Sequence, residues 1–219
     1  MTHHPFSLNG QSLSALPSGA LHWPAQNLLC VSDLHLGKSE RMARRGGALL
    51  PPYEVTDTLT KLDADIAAYN PKTVICLGDS FDDTAAAETL TEAHRLWLLR
   101  LMAGRHWIWI AGNHDPAPLG LDGTDRAEFM LETLTFRHIA EPGATAEISG
   151  HYHPKARIKS RSRPCFLLGQ NRLIMPAYGT YTGGLWCYDP AIAGLLTPPA
   201  RAILTGQKAI PTPLSKAPQ

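Results

Sequence analysis

Four short polar motifs in this chain each combine carboxylate, imidazole or amide side chains at close spacing. Each motif directly follows a short apolar run of the kind that forms a buried strand in an α/β sheet. Because ligands of open α/β sheets gather at the carboxyl ends of the strands, we expect the motifs to meet in one pocket. In chain order they are Asp33-x-His35, Gly78-Asp79-x-x-Asp82, Gly112-Asn113-His114-Asp115 and Gly150-His151-x-His153.

The residue types of these motifs suit divalent cations that take oxygen and nitrogen ligands. Carboxylate, imidazole and amide oxygen ligands without thiolates suit bound Mn²⁺, Fe or Zn²⁺, and this set is not typical of a structural zinc site. Two such cations about 3.5 to 4 Å apart lower the pKa of a bridging water towards ~7 and hold phosphoryl oxygens for in-line displacement. A pair of cations held by these motifs would therefore be suited to the hydrolysis of a phosphoester.

Each motif taken alone has a simpler explanation as a turn or a solvated loop. A lone Asp-x-His is usually a capped turn, and a lone Gly-Asp usually connects a strand to a loop. Four motifs in succession, each behind an apolar run, favour a shared function. Five histidines fit no motif and are expected to be exposed or structural: His3, His4, His22, His94 and His106.

Strands and helices that would position the motifs are visible in the sequence pattern. Apolar runs at residues 27–32, 73–77, 106–111 and 145–149 predict four strands, each ending at a motif. Apolar residues at helical spacing between Val55 and Tyr69 predict a helix, and residues 85–103 predict a second one. Beyond His153, short β-like segments alternate with turns and indicate an antiparallel meander.

Length and composition predict one domain with no global attraction for nucleic acid or membrane. The chain has 219 residues, 44% of them hydrophobic, and 20 basic against 19 acidic side chains give a net charge of +1. We expect residues 1–190 to form the domain and residues 191–219 a proline-rich extension, disordered from about residue 210. The start lacks the pattern of a secretory signal, which favours a cytoplasmic location.

Cysteine spacing argues against a thiolate metal site. No two of the four cysteines form a C-x-x-C pair, and no disulfide is expected; the first two lie in apolar runs and are expected to be small buried side chains. The four cysteines are Cys30, Cys76, Cys165 and Cys187.

The ordered motif set resembles the signature of the calcineurin-like metallophosphoesterase superfamily over roughly residues 28–153. The resemblance implies an α/β fold, a four-layer α/β/β/α sandwich of two mixed β-sheets flanked by helices, with two metal ions at one rim. It implies that one metal is bound by one group of side chains, the other by a second group, and that Asp79 bridges them. The first group is Asp33, His35 and His153, and the second is Asn113 and His151.

Two further roles follow from the same resemblance. His114 would assist the leaving group as a general acid, oriented by Asp82, while a hydroxide that bridges the metals attacks phosphorus. The family usually supplies one more histidine to the second metal from between the third and fourth motifs. The one histidine in that interval is His138, which is followed by Ile139 instead of the glycine often found there.

Three segments are similar to one branch of the superfamily, the PdeM-type or ligase-associated DNA damage response endonucleases. The segments are residues 33–38, 150–154 and 176–184. The similarity implies a DNA-processing nuclease that works alongside a DNA ligase and a helicase.

Two basic segments flank the predicted site. The second has five cations at two-residue spacing, which on a single strand would place every charge on one face. Such a face could track a DNA backbone, although edge strands also carry Lys and Arg merely to prevent aggregation. The segments consist of Lys38, Arg41, Arg44 and Arg45, and of Lys155, Arg157, Lys159, Arg161 and Arg163.

Three functions remain open from the sequence. The first is a dinuclear metal-dependent DNA endonuclease or phosphodiesterase in DNA repair, with Mn²⁺ as the expected metal. The second is a small-molecule phosphodiesterase or phosphatase acting on nucleotides or nucleotide sugars. The third is a non-catalytic binding module, which typically loses ligand residues, whereas the main ones are present in this chain.

Overall fold

Two mixed β-sheets pack face to face at the centre of the molecule, which a computed structural model describes for residues 2–116, 120–158 and 160–214. The first sheet contains seven strands in chain order, antiparallel from the first to the fourth and parallel from the fourth to the seventh. They are β1 (His4–Leu8), β2 (Gln11–Ala15), β3 (Leu21–Trp23), β4 (Leu28–Val31), β5 (Thr73–Leu77), β6 (His106–Ile110) and β7 (Thr124–Arg126).

The second sheet is formed by the later part of the chain. Its strands are β8 (Glu128–Leu131), β9 (Leu134–Arg137), β10 (Glu147–Ser149), β11 (Lys155–Ile158), β12 (Arg161–Leu168), β13 (Arg172–Ile174), β14 (Arg201–Leu204) and β15 (Ile210–Pro213). Their order is β15-β14-β12-β13-β10-β9-β8, and β11 pairs with β12. β9, β10 and β13 run parallel, and the other pairs are antiparallel.

Helices cover the outer face of the first sheet. They are α1 (Lys38–Arg44), α2 (Glu54–Tyr69), α3 (Thr84–Glu88) and α4 (Glu92–Met102). The short α5 (Pro190–Ala193) lies instead against the second sheet. A 3₁₀ turn, Pro24–Gln26, leads into β4. No helix in the described ranges is both long and apolar enough to cross a membrane.

Apolar side chains form three layers of core. One lies between the sheets and includes Trp23 and Phe136, and a second lies between the first sheet and α2 and α4. The third covers the outer face of the second sheet, where Ile192 of α5 packs on β12 and β14. β4 is buried along its whole length, as expected for a central strand covered on both faces. The predicted α/β sandwich of two mixed sheets is confirmed, and the four cysteines are buried and free.

Two predicted boundaries differ from the structure. The helix predicted over residues 85–103 is two helices, because the Thr91 side chain accepts a hydrogen bond from the His94 backbone N–H and so begins α4 anew. The predicted C-terminal extension contributes β14 and β15 to the second sheet, so Ile210–Pro213 is not disordered. The last five residues of that predicted stretch, 215–219, lie outside the described residues.

Candidate metal centre

The four motif loops meet at one rim of the sandwich. β4, β5 and β6 are parallel neighbours, so the motifs that follow them emerge at the same edge of the first sheet. β9 and β10 bring His138 and the Gly150 motif to the same place from the second sheet. Three groups of side chains could each hold a metal ion, because within each group the possible ligand atoms lie within 4.8 Å of one another. The groups are Asp33, His35 and His153; His35, Asp79 and His114; and Asp79, His138 and His151.

The first group brings two imidazoles and a carboxylate together. His153 Nε2 lies 3.1 Å from Asp33 Oδ1 and 3.3 Å from His35 Nε2. The other ring nitrogen of His35, Nδ1, lies 2.8 Å from Asp82 Oδ1, so a carboxylate lies behind the ring and Nε2 is left to face the centre. A carboxylate behind an imidazole is the usual support of a metal-binding histidine.

The second group has the same organisation on the other side of Asp79. His138 Nε2 lies 3.3 Å from Asp79 Oδ2, 3.0 Å from Asn113 Oδ1 and 3.3 Å from His151 Nδ1. His138 Nδ1 donates to the Leu77 carbonyl oxygen at 3.1 Å, which again leaves Nε2 for the centre. Because imidazole nitrogens, a carboxylate and an amide oxygen converge without a thiolate, the residues present fit divalent cations.

Asp79 lies between the two groups and is ionised over the whole physiological pH range. Burial alone would raise the pKa of its carboxyl, but the hydrogen bond and charge of His138, the His114 backbone N–H and the charge of His35 outweigh burial and lower the pKa to about 2. Asp33 behaves similarly, since His153, His138 and Ser32 overcome its burial and lower its pKa. Two carboxylates are therefore held in the charged form that binds cations.

The backbone of the motifs is held in conformations that non-glycine residues seldom adopt. The φ angle lies between 45° and 70° at Asp33, His35, Asp79, His151 and His153. All three motif glycines are required by close contact: an added Cβ would lie 2.3 Å from His138 Nδ1 at Gly78, 2.2 Å from Asp79 Oδ1 at Gly112 and 1.9 Å from Ser32 Oγ at Gly150. Motif spacing alone gave no signal of this strain.

His114 lies in the pocket, but not in the arrangement predicted from the sequence. Its ring makes a T-shaped contact with His35, with centroids 5.0 Å apart. Its Nδ1 lies 2.8 Å from the backbone carbonyl oxygen of Asp82, not from the Asp82 carboxylate. That carboxylate instead contacts His35, Lys38 and Arg41. The predicted Asp82 carboxylate–His114 pair is therefore wrong, because the side chain of Asp82 points towards α1 and the first group.

Asp115, which was given no role from the sequence, holds two motif loops together. Its carboxylate accepts hydrogen bonds from the backbone N–H groups of Asp79, Ser80, Phe81 and Gly112 at 2.7 to 3.1 Å. Burial and the nearby charge of Asp79 raise the pKa of Asp115 to about 6, although the backbone N–H groups oppose that rise. Its position in the third motif was the only available signal.

Residues 176–184 support the first motif from behind. The Tyr178 N–H donates to the Ser32 carbonyl at 2.7 Å, and the Gly179 N–H donates to the Asp33 carbonyl at 3.0 Å. The Tyr178 hydroxyl donates to Asp65 Oδ2 on α2 at 2.8 Å, and the Lys61 ammonium lies 4.0 Å from the Tyr178 ring centroid. This segment was noticed in the sequence only for its similarity to a family branch.

Charges of the first basic segment are paired within the protein. Lys38 and Arg41 contact Asp82, whereas Arg44 and Arg45 contact Asp83 at 2.9 and 3.2 Å. The structure thus uses these cations to attach α1 to the second motif, which leaves less of their charge for a nucleic acid.

The second basic segment is a hairpin and not one long strand, so its cations do not share a face as predicted. Strands β11 and β12 pair in the register Ala156↔Arg163, Arg157↔Ser162 and Ile158↔Arg161. Opposite residues of an antiparallel pair share a face, which places Lys155 and Arg157 on one side and Arg161 and Arg163 on the other. Lys159 lies outside the described residues.

Comparison with known proteins identifies what the chain is similar to. The family model described as calcineurin-like phosphoesterase matches residues 27–164. Among solved structures, the chain is similar to the crystal structure of Pseudomonas putida nuclease MPE, with a TM-score of 0.75 and 28% sequence identity over 96% of this chain and 100% of that one. No curated protein matched the chain.

Proposed function

Because the chain belongs to the calcineurin-like phosphoesterase family and is therefore a metal-dependent phosphoester hydrolase, we propose that it hydrolyses phosphodiester bonds of DNA. The observation that carries this proposal is the overlap of the three ligand groups, which share His35 and Asp79 and so form one continuous centre. DNA as the substrate is supported by the similarity along nearly the whole chain to a protein described as a nuclease.

Two divalent cations would occupy this centre, and Mn²⁺ is the ion that we propose. Bound there, they would supply a water whose pKa is lowered towards ~7 and positive charge that offsets the phosphoryl oxygens. One cation would be held by Asp33, His35 and His153, and the other by Asn113, His138 and His151, with Asp79 shared between them.

Among the side chains of the protein, His114 has the main proposed role in the reaction. A carbonyl oxygen can only accept, so the contact with the Asp82 carbonyl fixes the proton of His114 on Nδ1 and leaves Nε2 as the exchangeable site. A His114 that carries a second proton on Nε2 can donate it to the leaving oxygen, which makes His114 the proposed general acid. His35 and His138 would instead bind the cations through Nε2, since Nδ1 of His35 lies beside the Asp82 carboxylate and Nδ1 of His138 donates to the Leu77 carbonyl oxygen.

A role in DNA repair, in the cytoplasm and together with a DNA ligase and a helicase, is the finer part of the proposal. It rests on the motif similarity of residues 33–38, 150–154 and 176–184 to one family branch.

The proposal is tested by supplying Mn²⁺, Mg²⁺ or Zn²⁺ in turn and measuring hydrolysis of plasmid DNA, single-stranded DNA, bis-p-nitrophenyl phosphate, cyclic nucleotides and nucleotide sugars. Cleavage of DNA with at least one metal is expected. Turnover of cyclic nucleotides or nucleotide sugars far above that of DNA would contradict DNA as the substrate and favour a small-molecule phosphodiesterase.

His114→Ala is expected to lower kcat for DNA about 10²- to 10⁴-fold while the bound Mn²⁺ stays the same. His106→Ala is the matched control, because His106 is exposed at the opposite end of β6. An unchanged kcat in His114→Ala would contradict the assigned role.

A further inference from the structure

We propose that Trp186, with Lys155 and Arg157 beside its ring, binds an unpaired stretch of the DNA strand on its way to or from the metal centre. The inference rests on the proposed function and adds a binding surface to it. Unpaired DNA offers two kinds of group at once, phosphates and exposed base faces, and the surface around Trp186 has a partner for each.

Two cations lie beside one partly exposed aromatic ring. Lys155 Nζ is 4.9 Å and Arg157 Cζ is 5.3 Å from the centroid of the Trp186 ring. The Tyr188 ring lies 5.8 Å from that of Trp186 and is parallel to it within 3°. Base faces stack on aromatic rings and on arginine guanidinium planes. The two rings and the Arg157 side chain therefore offer a surface on which any base can stack, whatever the DNA sequence.

The charges of Lys155 and Arg157 are available to an anion from outside the protein. A cation that lies against an aromatic ring keeps its full charge. Among the described residues, no carboxylate lies within 4.0 Å of either cation. The first basic segment differs, since Asp82 and Asp83 pair with its cations.

The surface is continuous with the metal centre. A cavity of about 260 Å³ is lined by His153 of the first ligand group and, among others, by Lys155, Ser162, Thr182 and Gly183. Leu185 and Trp186 lie beside β11, as shown by the Lys155 N–H donating to the Leu185 carbonyl at 2.9 Å. A strand with one phosphate at the centre could therefore place its next nucleotides over Lys155 and Trp186.

Duplex DNA presents the same phosphates but hides its base faces inside the stack. We therefore infer that the surface prefers single-stranded DNA, and that inorganic polyphosphate, which has charge and no bases, binds without the contribution of Trp186.

The test is a binding measurement in EDTA, where no hydrolysis occurs. A labelled thymidine oligonucleotide of about 12 residues is titrated with the full chain, and duplex DNA and polyphosphate are titrated in parallel. Arg157→Ala is compared with Arg161→Ala, which removes the same charge from the opposite face of the same hairpin. Trp186→Ala is compared with Trp186→Phe, which keeps an aromatic face.

Arg157→Ala is expected to weaken oligonucleotide binding about 5-fold and to lower the slope of log affinity against log salt by ~0.7, whereas Arg161→Ala leaves both unchanged. Trp186→Ala is expected to weaken binding at least ~5-fold, Trp186→Phe less, and polyphosphate binding is expected to be the same in both. Equal effects of Arg157→Ala and Arg161→Ala, or full affinity in Trp186→Ala, would overturn the inference.

Failure of the inference is distinguishable from failure of the proposed function. If the wild-type protein with metal hydrolyses a small diester but not DNA, the proposed function fails. The EDTA titrations decide the binding surface whatever that result is.

Discussion

Asp82→Asn separates the role that the structure gives to Asp82 from the one predicted by sequence. The Asp82 carboxylate is completely buried, with Oδ1 facing His35 Nδ1 at 2.8 Å and Lys38 Nζ at 3.8 Å, and Oδ2 facing Arg41. An asparagine has one oxygen and one NH₂ group in the same positions. Whichever way the amide is turned, its NH₂ group faces either the His35 ring or the Arg41 guanidinium, and both of these are donors.

The expected loss of stability in Asp82→Asn depends on how exposed the two cations that contact Asp82 are. Removing one member of a fully buried ion pair costs roughly 3–5 kcal/mol. The Lys38 and Arg41 side chains are 21% and 18% exposed, so water can replace part of what they lose, and we expect a decrease of about 2–3 kcal/mol in the free energy of unfolding. Loss of the support behind a metal-binding histidine lowers metal affinity about 10- to 100-fold, which is the expected change for Mn²⁺.

Isothermal titration with Mn²⁺ and urea unfolding without metal measure the two quantities, and Asp83→Asn is the matched control. Asp83 is the next residue, pairs with Arg44 and Arg45 and caps α3, a position in which asparagine is equally good. Unchanged Mn²⁺ affinity in Asp82→Asn together with a lower kcat would refute the reasoning, since Asp82 would then act on His114 and not on His35.

Two further substitutions test the packing behind the centre and the burial of Lys61. Gly150→Ala places a Cβ 1.9 Å from Ser32 Oγ, so the free energy of unfolding in urea should fall by about 1–3 kcal/mol and Mn²⁺ binding should weaken. The control Gly194→Ala, whose Cβ meets nothing closer than 3.5 Å, should change neither quantity. Equal behaviour of the two variants would contradict the close contact at Gly150. Burial lowers the pKa of Lys61 to about 8 from 10.5, so the unfolded chain binds more protons between these pH values and the free energy of unfolding should rise by about 1–2 kcal/mol over that window. Lys61→Met should lack this rise, and an identical pH dependence of both proteins would contradict it.

The central part of the fold could be predicted because its strands are buried on both faces. Thr73–Leu77 and His106–Ile110 read as continuous apolar runs, and each ends at a polar motif that only a loop can hold. The parallel pairing of these strands brings the motifs to one rim, so the strand pattern was enough to predict that the motifs meet, whereas the grouping of individual side chains came from the family resemblance.

Contacts made by side-chain direction could not be predicted in the same way. Motif spacing puts Asp82 near His114, but it does not tell the backbone carbonyl from the carboxylate, and the structure uses the carbonyl for His114. Likewise, a two-residue charge period predicts one face only if a single strand continues, whereas here β12 pairs antiparallel with β11. The C-terminal strands were missed because prolines dominate the sequence there, although both strands lie towards the edge of the sheet, where proline is tolerated.

The most direct test of the account is a crystal of the protein grown with Mn²⁺ and measured at the manganese absorption edge. The account predicts two anomalous peaks, one contacted by Asp33, His35 and His153 and the other by Asn113, His138 and His151, with Asp79 between them. A single peak, or peaks away from these side chains, would contradict the claim that the four motifs form one dinuclear centre.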